Sequence, residues 1–198
     1  MAARLDRLPG LNPTISPAAL VVVACAALVL APHAAAEASS RGRPWAMHTI
    51  DASSRGADGV RLADVNGDGL LDIATGWEEG GLTRLYLHPG RGQAAKPWPA
   101  VTVGRTPSVE DAVSADLDGD GGHEVISCCE GGARKILVHW PPDEVDALLQ
   151  AKRWRAEPLP ESIDRMMWMF AVPAQLDGRR GVDLAAAGKG PDCRVGWF

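Results

Sequence analysis

The stretch "ADVNGDGLLDIATG", residues 63–76, places oxygen-bearing side chains at alternate positions of a short, glycine-rich segment. Counted from Asp64, they occupy positions 1, 3, 5 and 9 and are Asp64, Asn66, Asp68 and Asp72. The stretch "ADLDGDGGHEVIS", residues 115–127, has the same spacing. Its side chains at those positions are Asp116, Asp118, Asp120 and Glu124. Two copies of one spacing indicate one shared role.

The spacing is typical of a calcium loop. Calcium takes about 6 to 8 oxygen ligands, and alternate residues of a tight loop can converge on one ion, with a backbone carbonyl at position 7. Gly67 and Gly69 allow the first loop to turn sharply. Ca²⁺ is therefore the predicted cofactor. The predicted ligands are Asp64, Asn66, Asp68, Leu70 and Asp72 in the first loop, and Asp116, Asp118, Asp120, Gly122 and Glu124 in the second.

Two other interpretations of these loops fit the residues less well. An EF-hand needs a bidentate Glu at position 12, where this chain has Thr75 and Ser127, and it needs flanking helices. A solvated acidic turn would explain the polarity but not the repeated ligand spacing. His123, at position 8 of the second loop, is predicted to be an exposed loop residue.

A third stretch, "AQLDGRRGVDLAAAG", departs from the pattern. Gln175 replaces the first acid and Arg179 the third, whereas Asp177 and Asp183 remain. A guanidinium at position 5 could take the place of the cation and bridge the remaining carboxylates. No calcium is predicted in this loop.

The three loops mark an internal repeat. Aligning Asp64, Asp116 and Gln175 gives intervals of 116 − 64 = 52 and 175 − 116 = 59 residues. A tryptophan precedes each loop, at Trp45, Trp98 and Trp154. Units of this length that contain short strands must stack to bury their faces, as the blades of a β-propeller do. A β-sandwich is the alternative.

The predicted fold is all-β, with propeller blades of four-stranded antiparallel sheets at about 45–97, 98–153 and 154–198. Strands are predicted in "AMHTID", "GVRLADV", "LLDIATGW" and "TRLYLHP", and one helical excursion in "PPDEVDALLQAKRW". By the repeat register the third blade is incomplete at Phe198, so the expectation is a partial propeller, from a truncated product or an assembly of several chains. The strand "WMF", residues 168–170, is predicted to enter the core, and Trp77 to be exposed.

The first 36 residues have the pattern of a secretory signal peptide. A short basic start is followed by the apolar run "AALVVVACAALVL" and by small residues. That run is shorter than the about 20 residues that span a bilayer. The expected mature chain is 37–198, secreted or periplasmic, with no membrane span after cleavage; an uncleaved anchor is the alternative.

The charge and composition of the chain argue against one class of binding partner, nucleic acid. The chain of 198 residues has a formal net charge of −5, and no basic run with interleaved aromatics is present, which argues against nucleic-acid binding.

Two states are open for the cysteines of an exported chain, a disulfide or free buried thiols. The residues concerned are Cys128, Cys129 and Cys193.

The acidic loops and the repeat resemble the FG-GAP, or VCBS-type, repeats of integrin alpha-chain propellers and of many secreted bacterial proteins. The resemblance covers about 45–198. It implies that each intact loop joins two strands of a blade and binds Ca²⁺ structurally. It also implies an extracellular protein or glycan as the partner.

The function expected from the sequence is a secreted, calcium-binding propeller module that binds a protein or carbohydrate. The alternative is a sugar-processing enzyme of the lyase or dehydratase type on the same scaffold, with His48, His88 and His139 as the first candidate groups. His88 and His139 follow the last loop acid by 16 and 15 residues, which suggests equivalent, structural positions. No metalloprotease helix motif, nucleophile elbow or phosphate loop is found.

Overall fold

Eleven β-strands form three antiparallel sheets in the computed structural model, which describes residues 45–179 and 181–198. The first sheet contains β1 (Ala57–Ala63), β2 (Asp72–Trp77), β3 (Leu82–Tyr86) and β4 (Ala100–Arg105). The second contains β5 (Val109–Ala115), β6 (Glu124–Cys129), β7 (Lys135–Trp140) and β8 (Arg155–Pro158). The third contains β9 (Met167–Ala174), β10 (Asp183–Lys189) and β11 (Val195–Trp197). The predicted signal peptide, residues 1–36, lies outside the described residues.

Each sheet is a meander in which neighbours in sequence are neighbours in the sheet. The β2–β3 turn, 78–81, is short because glycine supplies backbone angles that other residues avoid. Gly81 closes the β2–β3 hairpin with a φ of 65°, and its N–H donates to the Trp77 carbonyl at 2.7 Å. The three sheets follow one another as blades of a partial propeller, and the prediction of an all-β fold is confirmed.

Strand β5 holds the sheets together because both of its faces are buried. Ala112 belongs to a cluster with Leu85 of the first sheet and Val125. The next residue, Val113, belongs to a cluster with Trp168 of the third sheet. Successive side chains of a strand point to opposite faces, so one apolar run can serve two interfaces.

A buried carboxylate connects the innermost strands of all three sheets. Asp111 of β5 is fully buried and accepts two hydrogen bonds from the Arg61 guanidinium of β1, at 3.0 and 2.9 Å. It also accepts one from the Ala171 N–H of β9, at 3.3 Å. Gly59 makes room for it, since a Cβ there would lie 2.2 Å from Asp111 Oδ1. The bulge in β1 between Asp58 and Arg61 turns the arginine toward this carboxylate.

The outer faces of the first and third sheets expose apolar side chains, as expected for an open stack of blades. Val60 and Leu62 of β1 are 62% and 58% exposed, and Phe170 and Val172 of β9 are 50% and 52% exposed. The predicted strand at 168–170 does form within β9. Trp168 enters the core, whereas Phe170 lies on the exposed face.

The boundaries between the sheets lie later in the chain than the boundaries predicted from Trp98 and Trp154. The strands that follow Trp98 and Trp154, β4 and β8, are the outer strands of the first and second sheets and not the start of the next. Each indole N–H donates a hydrogen bond to a carbonyl of the connection that precedes its strand. Trp98 Nε1 donates to the Ala94 carbonyl at 2.9 Å, and Trp154 Nε1 donates to the Leu148 carbonyl at 2.8 Å. The sequence repeat is therefore offset from the sheet by one strand.

Two predicted elements are not formed. Residues 46–51, "AMHTID", contain no strand, because none of the described strands pairs with them. The predicted helix at 141–154 is replaced by two 3-10 turns, Val145–Ala147 and Ala151–Arg153. Both turns lie in the connection between β7 and β8 of the second sheet.

The prediction that Trp77 is exposed is wrong. Trp77 is only 6% exposed, and its indole N–H donates to the Tyr86 hydroxyl at 2.9 Å. The Arg84 guanidinium lies 5.7 Å from the centre of its ring. The acidic and glycine residues that follow Trp77 occupy the hairpin turn, whereas Trp77 itself ends a strand that is almost entirely buried.

The three cysteines within the described residues are free thiols. Cys128 and Cys129 are buried and Cys193 is exposed. The two neighbours in β6 pack into different apolar clusters. Burial raises the pKa of the Cys129 thiol to about 12 and that of Cys128 well above its usual range. Both therefore act as apolar core residues in the thiol form.

A buried chain of hydroxyl groups links the first and second sheets through His139. Thr83 Oγ1 is 2.8 Å from Ser127 Oγ, which is 2.9 Å from His139 Nε2. Thr83, Ser127 and His139 are all fully buried. Burial lowers the pKa of His139 from its usual 6.5 to about 4, so the imidazole is neutral in the folded protein at neutral pH.

His88 and His139 do not occupy equivalent positions, contrary to the sequence expectation. In the strand register, Ile73 pairs with Tyr86 and Val125 pairs with His139, so the residue equivalent to His139 is Tyr86. The β6–β7 turn, 130–134, is one residue longer than the β2–β3 turn, 78–81, which shifts the count along the chain.

Replacing Arg61 by Met is expected to destabilise the protein by about 3 kcal/mol, because the Asp111 carboxylate would then be buried without its cation. Urea unfolding measures the change. Arg153→Met is the control, since Arg153 and its partner Glu144 are 48% and 63% exposed, and it should cost less than about 1 kcal/mol. Equal effects of the two substitutions would contradict the role assigned to Asp111.

The depressed pKa of His139 predicts a loss of stability in acid. Between pH 6.5 and about 4 the unfolded chain binds a proton at this residue and the folded chain does not. The free energy of unfolding should therefore fall by roughly 3 kcal/mol across that window through His139 alone. Urea unfolding near pH 7 and near pH 4 should show a smaller acid loss for His139→Gln than for the wild type; identical losses would rule the effect out.

Candidate metal site

The acidic loops lie at one end of the sheets, where the innermost strand of each sheet turns into the second. They connect β1 to β2, β5 to β6 and β9 to β10. The second and third loops touch, because the Val182 N–H donates to the Asp116 carbonyl at 3.1 Å. A group bound in these loops would therefore act where neighbouring sheets meet.

The first loop is folded around its own carboxylates. Asp64 accepts hydrogen bonds from the N–H groups of Asp68 and Gly69, at 3.0 and 2.9 Å. Asp68 accepts one from the Leu70 N–H at 2.8 Å. Gly67 and Gly69 have φ values of 73° and 81°, which few other residues adopt without strain. Asn66 Oδ1 accepts a hydrogen bond from the Asp68 N–H at 3.1 Å, so the predicted ligands at positions 1, 3 and 5 enclose one turn.

The second loop brings three carboxylates together. Ligand oxygens of Asp116, Asp118 and Asp120 all lie within 4.8 Å of one another. Asp116 Oδ2 accepts a hydrogen bond from the Gly121 N–H at 3.1 Å, while Asp116 Oδ1 is buried and has no hydrogen-bond partner. Three like charges at this distance repel. A hard divalent cation at this point would oppose the repulsion and bind the free oxygen, so the residues fit calcium.

The acid at position 9 has a second role that spacing did not reveal. Its carboxylate accepts a hydrogen bond from the N–H at position 2 in all three loops. The pairs are Asp72 with Val65 at 2.9 Å, Glu124 with Leu117 at 2.8 Å, and Asp183 with Leu176 at 2.6 Å. Each pair closes its loop. A carboxylate oxygen has lone pairs for both a hydrogen bond and a cation, so this role is compatible with the predicted ligation by Asp72 and Glu124.

Burial shapes the charge of these two acids. Burial raises the pKa of Glu124 to about 7, and the neighbouring Asp118 and Asp120 charges add to the effect. Burial also raises the pKa of Asp72, although the N–H groups of His88 and Val65 oppose it. Both shifts show that the folded loops disfavour negative charge in the absence of a cation.

The third loop is held by an amide in place of a cation. Gln175 Nε2 donates to the carbonyls of Arg179 and Gly181, at 2.6 and 2.8 Å, and Gln175 Oε1 accepts from the Gly178 N–H at 2.7 Å. Gly181 occupies position 7, whose carbonyl is a predicted ligand in the other loops. Arg179 pairs with Asp177 at 3.3 Å, whereas Asp183 binds backbone N–H groups. Arg179 thus contacts Asp177 and does not bridge it to Asp183 as the sequence predicted, and the Gln175 amide holds the backbone of the loop.

A second carboxylate cluster lies at the opposite end of the strands, and sequence reasoning missed it. Glu78, Glu110 and Glu130 bring carboxylate oxygens within 4.8 Å of one another, and Lys189 forms an ion pair with Glu130. Burial and the Glu130 charge raise the pKa of Glu110. Glu78, Glu130 and Lys189 each follow the last loop acid by six residues, so the repeat register could have found them.

His123 is half-buried, although the sequence predicted an exposed loop residue. The connection from β7 to β8 runs beside the second loop, and His123 and Pro141 line the same cavity. This contact between distant segments is not readable from the local sequence. Of the histidines named for the enzyme alternative, His48 is exposed and His88 packs edge-on against Trp98, with ring centres 4.7 Å apart.

The FG-GAP-like repeat family matches residues 64–127. The match begins at the first acid of the first loop and ends within β6, so it includes both intact loops. No curated protein matches the chain. Among residues 45–179 and 181–198, no helix has the length and apolar character needed to cross a membrane. The resemblance inferred from the acidic loops for about 45–198 is confirmed over residues 64–127, and repeats of this kind are typical of extracellular propeller-like modules.

Calcium titration of the purified protein is expected to give two equivalents per chain, because two loops keep the full ligand set. Asp116→Asn should reduce the stoichiometry to one, since it removes the carboxylate with the free buried oxygen. Asp177→Asn in the third loop is the matched control and should leave two. Isothermal titration calorimetry reports these numbers; an unchanged stoichiometry for Asp116→Asn would contradict the assignment.

Proposed function

Because the chain carries an FG-GAP-like repeat at residues 64–127, we propose that it is a secreted propeller module whose two intact loops each bind a structural Ca²⁺ ion and whose surface binds an extracellular protein or glycan. The observation that carries the calcium part is the convergence of Asp116, Asp118 and Asp120 around a buried oxygen without a hydrogen-bond partner. Such an arrangement is costly for a folded chain without a cation.

The ion would stabilise contacts between sheets. The second loop is bound to the third sheet through the Asp116 carbonyl, and a Cβ at Gly181 would lie 2.2 Å from the Leu117 carbonyl oxygen. Loops packed this closely cannot change shape independently. A cation that fixes the second loop would therefore also fix the position of the third loop, which has no acidic cluster of its own to hold an ion.

A structural role for calcium agrees with the surroundings of the loops. Glu124 is 1% exposed and Asp72 is fully buried, and both are engaged by backbone N–H groups. Carboxylates this deeply buried cannot reach a proton of a bound substrate. The protein's residues at these sites bind and orient; the ion would supply charge compensation and nothing more.

The alternative of a sugar-processing enzyme receives no support from the candidate histidines. His139 is fully buried between sheets, and its Nε2 lies 2.9 Å from Ser127 Oγ, within hydrogen-bond distance. A general base has to reach the proton that it takes from a substrate. His48 is exposed and His88 packs against Trp98, so neither shares the buried contacts of His139.

Removal of calcium is expected to destabilise the protein. An ion that binds only the folded chain stabilises it by about 2.7 kcal/mol when its concentration is 100 times its dissociation constant. EDTA should lower the melting temperature of the calcium-loaded protein by several degrees and speed its cleavage by trypsin. Magnesium in place of calcium serves as the control and should restore less, since Mg²⁺ prefers a smaller, octahedral site. A melting temperature that EDTA leaves unchanged would contradict the proposal.

A further inference from the structure

Within residues 45–179 and 181–198, the third sheet has three strands, whereas the first and second sheets have four. The difference lies at the outer edge. β11 takes the place that β3 and β7 take in the other sheets, where β4 and β8 cover them. An uncovered edge strand presents backbone N–H and carbonyl groups that can pair with a further strand.

The repeat register identifies a segment of the chain that suits this edge. Residues 48–53 lie 52 residues before β4 and precede β1 as β4 precedes β5 and β8 precedes β9. We name them the outer segment. None of the described strands pairs with the outer segment, and the first sheet already has its four strands. The chain thus has one strand equivalent more than its first sheet uses and one fewer than its third sheet needs.

The outer segment lies against the first sheet as β4 lies against the second. β4 covers His139, since a Cβ added at Gly104 would lie 2.5 Å from His139 Cε1. The residue equivalent to His139 in the first sheet is Tyr86, and its hydroxyl donates to the Asp51 carboxylate at 2.8 Å. Asp51 lies 52 residues before Val103 of β4. The segment therefore occupies the position of the outer strand of a preceding sheet.

The hydrogen bonds of β4 show which residue of the outer segment would face a neighbouring strand. The Pro99 carbonyl accepts a hydrogen bond from the Leu87 N–H at 3.0 Å. In an antiparallel pair the backbone groups of every second residue point to the same edge, so those of Val101 also face β3. Thr49 lies 52 residues before Val101 and has the corresponding direction.

The contacts of the outer segment agree with this direction. The Ile50 carbonyl accepts a hydrogen bond from the Trp98 N–H at 3.2 Å, so the backbone of Ile50 faces the first sheet. Thr49, whose backbone points to the opposite edge, is exposed, and none of the described residues forms a backbone hydrogen bond with it. By the register of the first sheet, Thr49 would lie opposite Trp197 of β11.

The sheet that the outer segment suits is the third sheet of another copy. The segment lies against the first sheet, and the second sheet packs between the first and the third. Three sheets are also too few for a closed ring, since propellers have about 4 to 8 blades. Two copies provide twice three sheets, which is within that range, whereas three copies exceed it. Head-to-tail contacts that close after two copies give a dimer.

The faces that would meet in such a dimer are apolar. Val172 and Trp197 both pair with Ala185 and share the open face of the third sheet, where they are 52% and 54% exposed. On β1, Val60 and Leu62 are exposed. Equivalent faces are covered at the two junctions within the chain, where the second sheet packs against the first and against the third. A third junction of the same kind would cover these side chains as well.

Neither member of the buried ion pair at the first junction has a charged counterpart at the proposed one. In the repeat register Val172 takes the place of Arg61, and Gly59 takes the place of Asp111. A single retained charge would be buried without its partner, which is strongly destabilising. Because both charges are replaced, the contact between copies would leave no ion unpaired.

We propose that two copies of this chain associate head to tail and close a six-sheet ring, the outer segment of each copy pairing with β11 of the other. The open face of the third sheet packs on β1 of the partner copy. This inference goes beyond the proposed function, because it requires neither bound calcium nor an extracellular ligand.

The test is sedimentation equilibrium of the purified protein. The wild type should have twice the mass of one chain, with a dissociation constant below about 10 μM. Thr49→Pro removes the N–H that would donate to β11 and should raise this constant at least about tenfold. Ile50→Pro is the matched control and should leave it unchanged, because that N–H points to the other edge and β8 has Pro158 at the equivalent position.

A second pair of variants tests the apolar contact. Val172→Lys places a charge on the open face of the third sheet and should also raise the dissociation constant at least about tenfold. Val145→Lys is the control, since Val145 is 55% exposed on a 3-10 turn and lies on neither face. Thr49 and Val172 are exposed in the single chain, so both variants should still unfold cooperatively, as monomers.

Hydrogen exchange of the wild type supplies a measurement without substitutions. Peptides that contain the outer segment and β11 should exchange more slowly at a concentration where the dimer forms than after dilution. A wild type that stays monomeric overturns the proposal, as does one that forms trimers or filaments. A dimer whose affinity is unchanged in both Thr49→Pro and Val172→Lys also overturns it, because another surface would then form the contact.

Discussion

Repulsion among carboxylates held close together is the constraint on which the loop end of this protein depends. Asp116, Asp118 and Asp120 converge within 4.8 Å, beside a glutamate whose pKa burial raises to about 7. A loop with this charge has two ways to remain folded: proton uptake or a cation. The alternate spacing of the acids and the glycine turns favour the cation. The third loop shows the other solution to the same geometry, since Gln175 supplies neutral donors to the carbonyls that would face an ion.

The strands of neighbouring sheets are joined by a second kind of contact, buried hydrogen bonds within the protein. Asp111 joins the innermost strands of three sheets through Arg61 and the Ala171 N–H. The hydroxyl chain from Thr83 to His139 crosses between the first two sheets. These buried polar contacts fix how one sheet meets the next, while apolar clusters on both faces of β5 supply most of the favourable burial.

Features that depend on residues close in sequence could be predicted. The acidic loops, the strands that flank them and the weakened third loop follow from spacing and alternation within about 20 residues. Features that depend on a partner strand could not. Trp77 precedes a polar turn, yet it is buried because Tyr86 and Arg84 from the next strand cover it. The predicted blade boundaries differ from the boundaries of the sheets by one strand. A repeat is periodic, and its sequence does not show which strand is outermost.

The candidate site shows the same division. Spacing alone identified the residues at positions 1, 3 and 5, and the structure brings Asp116, Asp118 and Asp120 together. It could not show that the acid at position 9 also closes each loop, since that bond depends on the direction of one backbone N–H. The cavity lined by His123 and Pro141 could not be predicted from the sequence, because its wall combines the second loop with a connection that begins at Pro141.

The central claim is that the two intact loops hold calcium and the third does not. The most direct measurement is an anomalous difference map from a crystal grown in calcium, collected at a wavelength where calcium scatters anomalously. One peak is expected between Asp64, Asn66 and Asp68, one between Asp116, Asp118 and Asp120, and none beside Gln175. A map without peaks at the first two loops, or with a peak at the third, would contradict it.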